Sequence, residues 1–239
     1  MKAAAIIPAR LGSTRFPEKP LAMLGGKCLI TRVWEAVVAT ELFDEVIVAT
    51  DSKRILDVVL AAGGKAQMTS SEHPSGSDRV AEVASGLEAD IIVNVQGDEP
   101  FITADVLKPL LDSFLDDAVQ MASLMTPILD AEQLDDPGIV KVVTDAAGKA
   151  LYFSRSLIPF DRDGASGYNY MRHIGVYAWR RETLLSFVAL PVGRLERVEK
   201  LEQLRALENG IAIRMVETDY QGIGIDTPED LEKAERIIK

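Results

Sequence analysis

The sequence lacks several features that would define its chemistry at once. It has one cysteine, Cys28, among 239 residues, so it contains no intrachain disulfide and no zinc site built from cysteines. Cys28 lies in an apolar stretch, so we expect it to be a small buried residue and not a nucleophile. No apolar segment approaches the roughly 20 residues needed to cross a bilayer. The G-x-x-x-x-G-K-[ST], G-x-G-x-x-G and H-E-x-x-H motifs are absent, and no set of residues indicates a Ser-His-Asp triad.

An excess of positive charge is missing as well. The formal net charge is −11, which argues against general nucleic-acid binding but leaves room for an anionic small molecule at a local cationic cluster. The short apolar run at residues 3–7 precedes cations, the reverse of the order in a signal peptide, so we expect a cytoplasmic protein with no membrane partner. The length, with 47% hydrophobic and 26% charged residues, fits one α/β domain or one with a small appendage.

The most informative stretch is the start of the chain. Residues 3–7 are uninterruptedly apolar, as in a parallel strand covered on both faces. The loop that follows carries three cations, Arg10, Arg15 and Lys19, separated by a glycine and hydroxyl residues. Loops at the carboxyl ends of such strands bind ligands, and Arg and Lys complement the charge of phosphate. We interpret it as a polyphosphate-binding loop; a surface loop that happens to be basic is the alternative.

Strands and helices alternate three times in the first hundred residues, which predicts a doubly wound α/β fold. The strands are expected at 3–7, 45–50 and 90–95, and the helices at 29–39, 55–62 and 78–86. The second half is less regular. It predicts helices at 104–115, 181–187 and 197–209, strands at 121–124, 173–179 and 211–217, and a hairpin of 140–144 with 150–153. Thr227 is predicted to cap the last helix, with Pro228 at its first position.

Two carboxylates stand where a metal site would be built. Asp98 follows the strand at 90–95, and Asp226 follows another short apolar segment just before a helix. Carboxylates at strand ends beside a triphosphate loop suit Mg²⁺, which prefers oxygen ligands. The alternative for each is a turn or helix-cap residue. Their separation of 128 positions leaves the pairing a hypothesis, and Asp51 is a third candidate that could cap a helix instead.

Other polar segments are weaker candidates. Ser75-Gly76-Ser77-Asp78-Arg79 combines hydroxyls, a glycine and a cation at the start of a helix, where it could grip a base or ribose or merely cap the helix. Arg155 and the pair Arg172-His173 could face an acidic second substrate. A lone histidine is more often structural than catalytic.

Taken in order, these segments resemble the 3-deoxy-manno-octulosonate (Kdo) cytidylyltransferase family. Gln-Gly-Asp-Glu-Pro, Tyr-Phe-Ser-Arg and Leu-Glu-Gln-Leu-Arg are its most specific motifs, whereas the first loop is shared by many sugar-nucleotide transferases. The resembling segments run from end to end: residues 7–10, 13–15 and 19–20, 49–51, 75–79, 94–100, 141–143, 150–155, 173–177, 201–205 and 226–231.

The resemblance implies a Mg²⁺-dependent cytoplasmic homodimer that joins CTP to Kdo, giving CMP-Kdo and pyrophosphate for lipopolysaccharide biosynthesis. It implies a Rossmann-like nucleotidyltransferase fold with a mixed, mostly parallel central sheet. Residues 1–239 would form one domain, with about 120–200 providing a small sugar-binding and dimerisation subdomain.

The resemblance also assigns roles to individual residues. Arg10, Arg15 and Lys19 would contact the triphosphate, and Asp98 and Asp226 would ligate magnesium; Arg15, Lys19, Asp98 and Asp226 form the expected catalytic set. The remaining nucleotide-binding residues would be Ala9, Thr50, Asp51, Ser75 and Gly76. Around the sugar the resemblance places Arg79, Gln96, Arg155, His173, Tyr177 and Gln203.

Two departures from the family pattern stand out. Glu18 occupies a position where the family often has glycine, which places an anion beside the phosphate loop; we expect its side chain to turn to solvent. The segment 190–196 contains Gly-Arg where other members carry Pro-Ser, and relatives with Gly-Arg include ones that handle an 8-amino analogue of Kdo. The same reaction on that analogue is therefore the alternative.

Two further hypotheses belong to other classes. A sibling nucleotidyltransferase for sialic acid or a neutral sugar phosphate would share the first loop but should lack Tyr-Phe-Ser-Arg and Leu-Glu-Gln-Leu-Arg. A non-enzymatic nucleotide-binding protein would tolerate loss of the pair Asp98 and Asp226.

Overall fold

The computed structural model describes residues 1–12, 16–164, 167–222 and 224–238. Its strands are β1 Ala3–Ala9, β2 Met23–Leu24, β3 Lys27–Cys28, β4 Glu45–Thr50, β5 Lys65–Met68, β6 Ile91–Asn94, β7 Met121–Pro127, β8 Lys141–Thr144, β9 Ala150–Ser154, β10 Met171–Arg180 and β11 Ile213–Glu217. Its helices are α1 Leu29–Val38, α2 Lys53–Ala61, α3 Gly76–Ser85, α4 Ala104–Asp112, α5 Arg181–Val188, α6 Arg194–Glu199, α7 Gln203–Glu208 and α8 Pro228–Ile238. Short 3₁₀ helices lie at Lys19–Leu21, Ser113–Leu115 and Ala131–Gln133.

The chain forms two compact units. The first unit comprises Met1–Lys108, Trp179–Val188 and Gly222–Lys239, and the second unit comprises Pro109–Ala178 and Ala189–Gln221. The expected single domain with a sugar-binding and dimer region at about 120–200 stays a prediction.

The first unit is built on four parallel strands in the order β6-β1-β4-β5. β1 lies in the middle of this arrangement, which explains why its apolar run has no polar alternation: Ile6 and Ile7 are fully buried. The chain moves from β1 through β4 to β5 on one side and then places β6 on the other side of β1. The direction of winding therefore reverses between β1 and β6, and such a switch point opens a crevice at the carboxyl ends of the strands.

The predicted strands and helices of the first hundred residues are confirmed, but two features were missed. β5 (Lys-Ala-Gln-Met) is an edge strand with mostly exposed residues, so it carries no apolar run that would identify it. β2 and β3 form a two-residue hairpin around Gly25 and Gly26, both with positive φ. Strands this short are defined by their turn and by little else.

The second unit contains both parallel and antiparallel pairs. β11 pairs with β7 in parallel, and β8 pairs antiparallel with both β9 and β10. The predicted hairpin of β8 and β9 is confirmed, with a register shift at Val143/Thr144. The side chain of Asp145 closes its turn by accepting hydrogen bonds from the backbone N–H groups of Ala147 and Lys149, at 2.9 and 2.8 Å.

The single helix predicted at 197–209 is wrong, because this stretch belongs to two helices. α6 ends at Glu199, and the next residue, Lys200, has a left-handed φ of 56°. α7 begins at Gln203. The Gly-Arg segment singled out in the sequence forms the start of α6. There the carboxylate of Glu208 accepts hydrogen bonds from the backbone N–H groups of Arg194 and Leu195, at 3.1 and 3.0 Å. A Cβ at Gly193 would lie 2.0 Å from this carboxylate, so glycine permits its approach.

The strand pairs and their helices confirm the predicted α/β class with a mixed, mostly parallel sheet. None of the helices in the described ranges is long and apolar enough to cross a membrane.

Candidate active site

A cavity of about 380 Å³ lies in the first unit at the carboxyl ends of β1 and β6. Four segments form its walls: the loop after β1, the start of α3 with the residues before it, the turn after β6, and the segment before α8. Its lining residues are Pro8, Ala9, Arg10, Gly12, Lys19, Pro20, His73, Ser75, Gly76, Arg79, Gln96, Gly97, Asp98 and Asp226. The structure therefore brings together most of the residues predicted for the nucleotide and the metal. Arg15 lies outside the described residues.

Lys19 is the centre of this cavity's electrostatics. Its Nζ donates to Asp98 Oδ2 at 2.7 Å and to Asp226 Oδ1 at 3.0 Å. Burial alone would lower the pKa of the Lys19 ammonium, but the hydrogen bonds and charges of the two carboxylates outweigh it and raise the pKa. Lys19 therefore carries its charge throughout the physiological range. The sequence left the pairing of Asp98 and Asp226 a hypothesis. In the structure both carboxylates accept a hydrogen bond from the same ammonium.

Backbone contacts fix these carboxylates in place. The backbone N–H of Ile225 donates to the carbonyl of Asp98 at 3.0 Å, which ties the segment before α8 to the turn after β6. Thr227 caps α8 as predicted, because its hydroxyl accepts from the backbone N–H of Asp230 at 3.2 Å. The Asp230 carboxylate in turn accepts from the backbone N–H of Asp226 at 3.3 Å. The position of Asp226 is thus set by the start of the helix that follows it.

Gly97 lets two walls of the cavity approach each other. A Cβ at this position would lie 2.9 Å from the carbonyl oxygen of Pro8, a backbone atom that cannot turn aside. The turn after β6 therefore packs directly on the end of β1. Pro8 and Gly97 were not predicted as site residues, although both lie at strand ends and within segments that resemble the family.

The helix α3 begins at Gly76, two residues earlier than predicted, and Ser75 is its N-cap. The Ser75 hydroxyl accepts from the backbone N–H of Asp78 at 3.2 Å and donates to that residue's carboxylate at 2.7 Å. Ser75 and Gly76 both line the cavity. This arrangement has the geometry of a helix start that contacts a polar ligand, so the capping and binding interpretations of the segment are compatible.

Arg79 joins α3 to the end of β4. Its guanidinium donates to the Asp51 carboxylate at 2.8 Å and also contacts the Thr69 hydroxyl. Asp51 does not cap α2, because Ser52 occupies that position. Thr50 is fully buried and its hydroxyl accepts from the backbone N–H of Ser52 at 3.1 Å. Thr50 and Asp51 do not line the cavity, and their nucleotide-binding roles stay predictions.

His73 lines the cavity although it was not predicted to do so. Its Nε2 contacts the Glu82 carboxylate, which also accepts from the backbone N–H of Ser70 at 3.0 Å. The Ser70 hydrogen bond, followed by that from His73, lowers the pKa of the Glu82 carboxyl. In the sequence His73 is one residue of a polar loop. Its contact with Glu82, nine residues later on α3, could not be deduced from the sequence.

A separate cluster in the second unit contains three residues predicted for the sugar. The His173 ring packs against Phe153 at 5.0 Å and Tyr177 at 5.4 Å between ring centroids. Its Nε2 lies 2.9 Å from the Ser123 hydroxyl, and its Nδ1 lies 3.5 Å from the Gln203 amide nitrogen. The Ser123 hydroxyl can donate to the carbonyls of Ile174 and Val176, which leaves it to accept from Nε2–H.

This environment favours neutral histidine. Burial, and next the charge of Arg172, lower the pKa of His173 to about 3. Burial, and next the charge of Glu202, raise the pKa of Tyr177. Both side chains are thus uncharged polar groups at neutral pH. They could donate and accept hydrogen bonds to sugar hydroxyls, a role that stays a prediction.

Arg155, the other predicted sugar residue of the second unit, is held by backbone carbonyls. Its guanidinium donates to Glu199 O and Pro137 O, both at 2.8 Å. Buried Lys141 supports the same region, donating to Asp136 O at 2.7 Å and Arg155 O at 3.2 Å. Arg155 therefore has structural partners in addition to its predicted binding role.

The lowered pKa of His173 makes a prediction about acid stability. The folded pKa of about 3 lies below the ordinary value of about 6.5, so the unfolded chain binds the extra proton between these values. The stabilisation is complete above about pH 6.5 and declines as the pH falls. Between pH 7 and pH 5, the wild type should lose about 2 kcal/mol more unfolding free energy than His173→Gln. Urea unfolding at both pH values measures the difference, and equal losses would contradict the assignment.

Comparison with known proteins identifies the family. The family model described as Cytidylyltransferase matches residues 4–215. The 3-deoxy-manno-octulosonate cytidylyltransferase of Flavobacterium johnsoniae is 52% identical over 242 residues, covering 100% of this chain and 99% of that protein. Its counterpart from Syntrophotalea carbinolica is 49% identical over 248 residues, with coverage of 100% and 99%. A solved structure of CMP:2-keto-3-deoxy-manno-octonic acid synthetase complexed with CTP matches with a TM-score of 0.95 at 44% identity, covering 100% of this chain and 98% of that one. The chain belongs to the 3-deoxy-manno-octulosonate cytidylyltransferase family.

Proposed function

We propose that this protein is a nucleotidyltransferase that couples CTP to Kdo, releasing pyrophosphate and forming CMP-Kdo. The observation that carries the proposal is the cavity at the switch point, where Lys19 lies between Asp98 and Asp226 and Arg10 lines the same wall. Cations beside paired carboxylates suit a triphosphate and its metal. The family relationship identifies the nucleotide and sugar: one solved relative is complexed with CTP, and the curated relatives carry the Kdo name.

The reaction is an in-line displacement at the α-phosphorus. The anomeric hydroxyl oxygen of Kdo forms a bond to phosphorus, the bond to the bridging oxygen of pyrophosphate breaks, and the hydroxyl proton passes to solvent. No covalent enzyme intermediate is needed. Catalysis then consists of positioning and of neutralising phosphate charge. Arg10 would contact the triphosphate, and Arg15 and Lys19 would stabilise the leaving pyrophosphate.

Magnesium is the cofactor we propose, held by Asp98 and Asp226. The donor set fits it: Mg²⁺ is commonly bound by one or two carboxylates together with substrate phosphates. Within the described ranges, no group of three or more histidine, cysteine or acidic side chains forms a metal site. Asp98 and Asp226 would hold the ion together with the phosphates of the substrate. When bound, magnesium would neutralise phosphate charge and lower the pKa of the attacking hydroxyl.

The direct test of function is pyrophosphate release. With Mg²⁺, CTP and Kdo, the protein should release pyrophosphate, and release should fall sharply when CTP is replaced by ATP, GTP or UTP. The 8-amino analogue of Kdo serves as the competing sugar; the relatives' names do not support it as the substrate. Equal or faster release with that analogue would contradict the choice of Kdo. No release with either sugar would contradict the proposed function.

Substitution of one proposed metal ligand should lower the rate of the chemical step. Asp98→Asn keeps the size of the side chain but removes its charge, so kcat should fall by about two orders of magnitude or more. Asp57→Asn is a matched control, because Asp57 is a carboxylate on α2 that pairs with Lys53. Rates are measured at saturating Mg²⁺. Near-normal turnover of Asp98→Asn would show that the metal assignment is wrong.

We further propose that the second unit provides the sugar-binding and dimerisation region of a cytoplasmic homodimer acting in lipopolysaccharide biosynthesis. Several large apolar side chains there are exposed in the single chain, among them Leu129, Phe160 and Val198. Burying such side chains between two copies would be favourable.

Sedimentation velocity tests the dimer. The wild type should sediment as a dimer, and Phe160→Asp or Val198→Asp should shift it toward the monomer. Leu60→Asp is the control, since Leu60 is an exposed apolar side chain (50%) on α2 of the first unit. A monomeric wild type, or an equal shift in the control, would contradict the proposal.

A further inference from the structure

Glu18 occupies an unusual backbone conformation at the end of the phosphate loop. Its φ is 56°, the left-handed region that favours glycine and is unfavourable for residues with a Cβ. Its backbone N–H donates to Leu11 O at 3.3 Å, and its carbonyl accepts from Leu21 N at 2.8 Å. Glu18 therefore closes the loop on one side and starts the 3₁₀ helix containing Lys19 on the other.

The Glu18 side chain is exposed to solvent, as predicted, and it has a partner that the sequence did not indicate. Its carboxylate forms a two-pronged ion pair with Arg54 of α2: Nη1 contacts Oε1, and Nη2 donates to Oε2 at 2.9 Å. Paired hydrogen bonds of this kind fix geometry as well as charge. The pair links the end of the phosphate loop to a helix 36 residues further along the chain.

The location of Arg54 indicates that the pair serves a purpose beyond helix stability. Arg54 lies in the first turn of α2, where the helix dipole disfavours cations. Its neighbour Lys53 is balanced within the helix by Asp57, at 2.7 Å. The carboxylate that balances Arg54 comes from Glu18, outside the helix.

Three acidic residues lie close to Lys19 in the structure or the sequence: Asp98, Asp226 and Glu18. Lys19 follows Glu18 directly, with Cα atoms about 3.8 Å apart, and its ammonium is already shared by two carboxylates. The protein as a whole carries a formal charge of −11. An unbalanced Glu18 would add a negative charge on the residue next to Lys19, and negative charge there opposes the binding of a polyanion.

We propose that Arg54 is a positioning residue for CTP, which it serves by neutralising Glu18 and holding the turn that presents Lys19. The inference rests on the proposed function for the identity of the nucleotide. Arg54 acts through Glu18 and needs no contact with substrate. A purely structural surface ion pair would affect stability slightly and nucleotide affinity not at all.

The test is a double-mutant cycle read out by CTP binding. Arg54→Ala should raise the Kd for CTP, measured by calorimetry, roughly threefold to tenfold. Glu18→Gly should leave the Kd near the wild-type value, because glycine accepts the left-handed conformation and removes the anion. The double variant Glu18→Gly/Arg54→Ala should recover wild-type affinity, and Arg54→Lys should recover part of it.

Lys53→Ala is the matched control, since it removes a cation from the same helical turn without freeing Glu18. In turnover assays, Arg54→Ala should raise KM for CTP while kcat and KM for Kdo stay unchanged. An unchanged Kd in Arg54→Ala, an equal loss in Lys53→Ala, or a double variant as weak as Arg54→Ala would each overturn the inference. CTP binding without turnover on Kdo would overturn the proposed function instead, and the cycle would still decide the role of Arg54.

Discussion

The site depends on one electrostatic arrangement, the ammonium of Lys19 between the carboxylates of Asp98 and Asp226. Two carboxylates this close repel each other unless a cation lies between them. Lys19 supplies that cation and leaves the group with a net negative charge, which suits the magnesium ion of the proposed function. The same ammonium also complements phosphate. One residue thus stabilises the pair of carboxylates and, in the proposed function, also binds the charged nucleotide.

The fold provides this arrangement by converging three distant segments. β1 is buried on both faces and its register with β4 and β6 is fixed, so the loop after it has a defined origin. The turn after β6 reaches the end of β1 because Gly97 has no side chain. Asp226 is placed by the start of α8, where Thr227 and Asp230 cap the helix. Rigid elements therefore define the positions of the carboxylates.

The sequence predicted what depends on local patterns and missed what depends on distant partners. β1, β4 and β6 were recognisable because burial on both faces demands apolar runs, whereas edge strand β5 has no such demand. The chain breaks between α6 and α7 because Lys200 has a left-handed conformation. The spacing of apolar residues gives no sign of this conformation. Asp98 and Asp226 were candidates because each follows an apolar segment. Their shared contact with Lys19 could be seen only in the structure. His73 was passed over because its partner Glu82 lies on the next helix.

Glu18 departs from the glycine that the family often has at this position, yet the physical reasons that favour glycine there still apply. An anion in a phosphate-binding loop opposes binding, and a side chain in the left-handed region is unfavourable; glycine avoids both costs. This chain keeps glutamate and offsets its charge with Arg54, a cation that α2 itself does not favour at that position. Each residue is poorly placed when considered within its own segment. Their pairing makes both placements consistent, and it extends the charge balance of the site beyond the residues that touch the cavity.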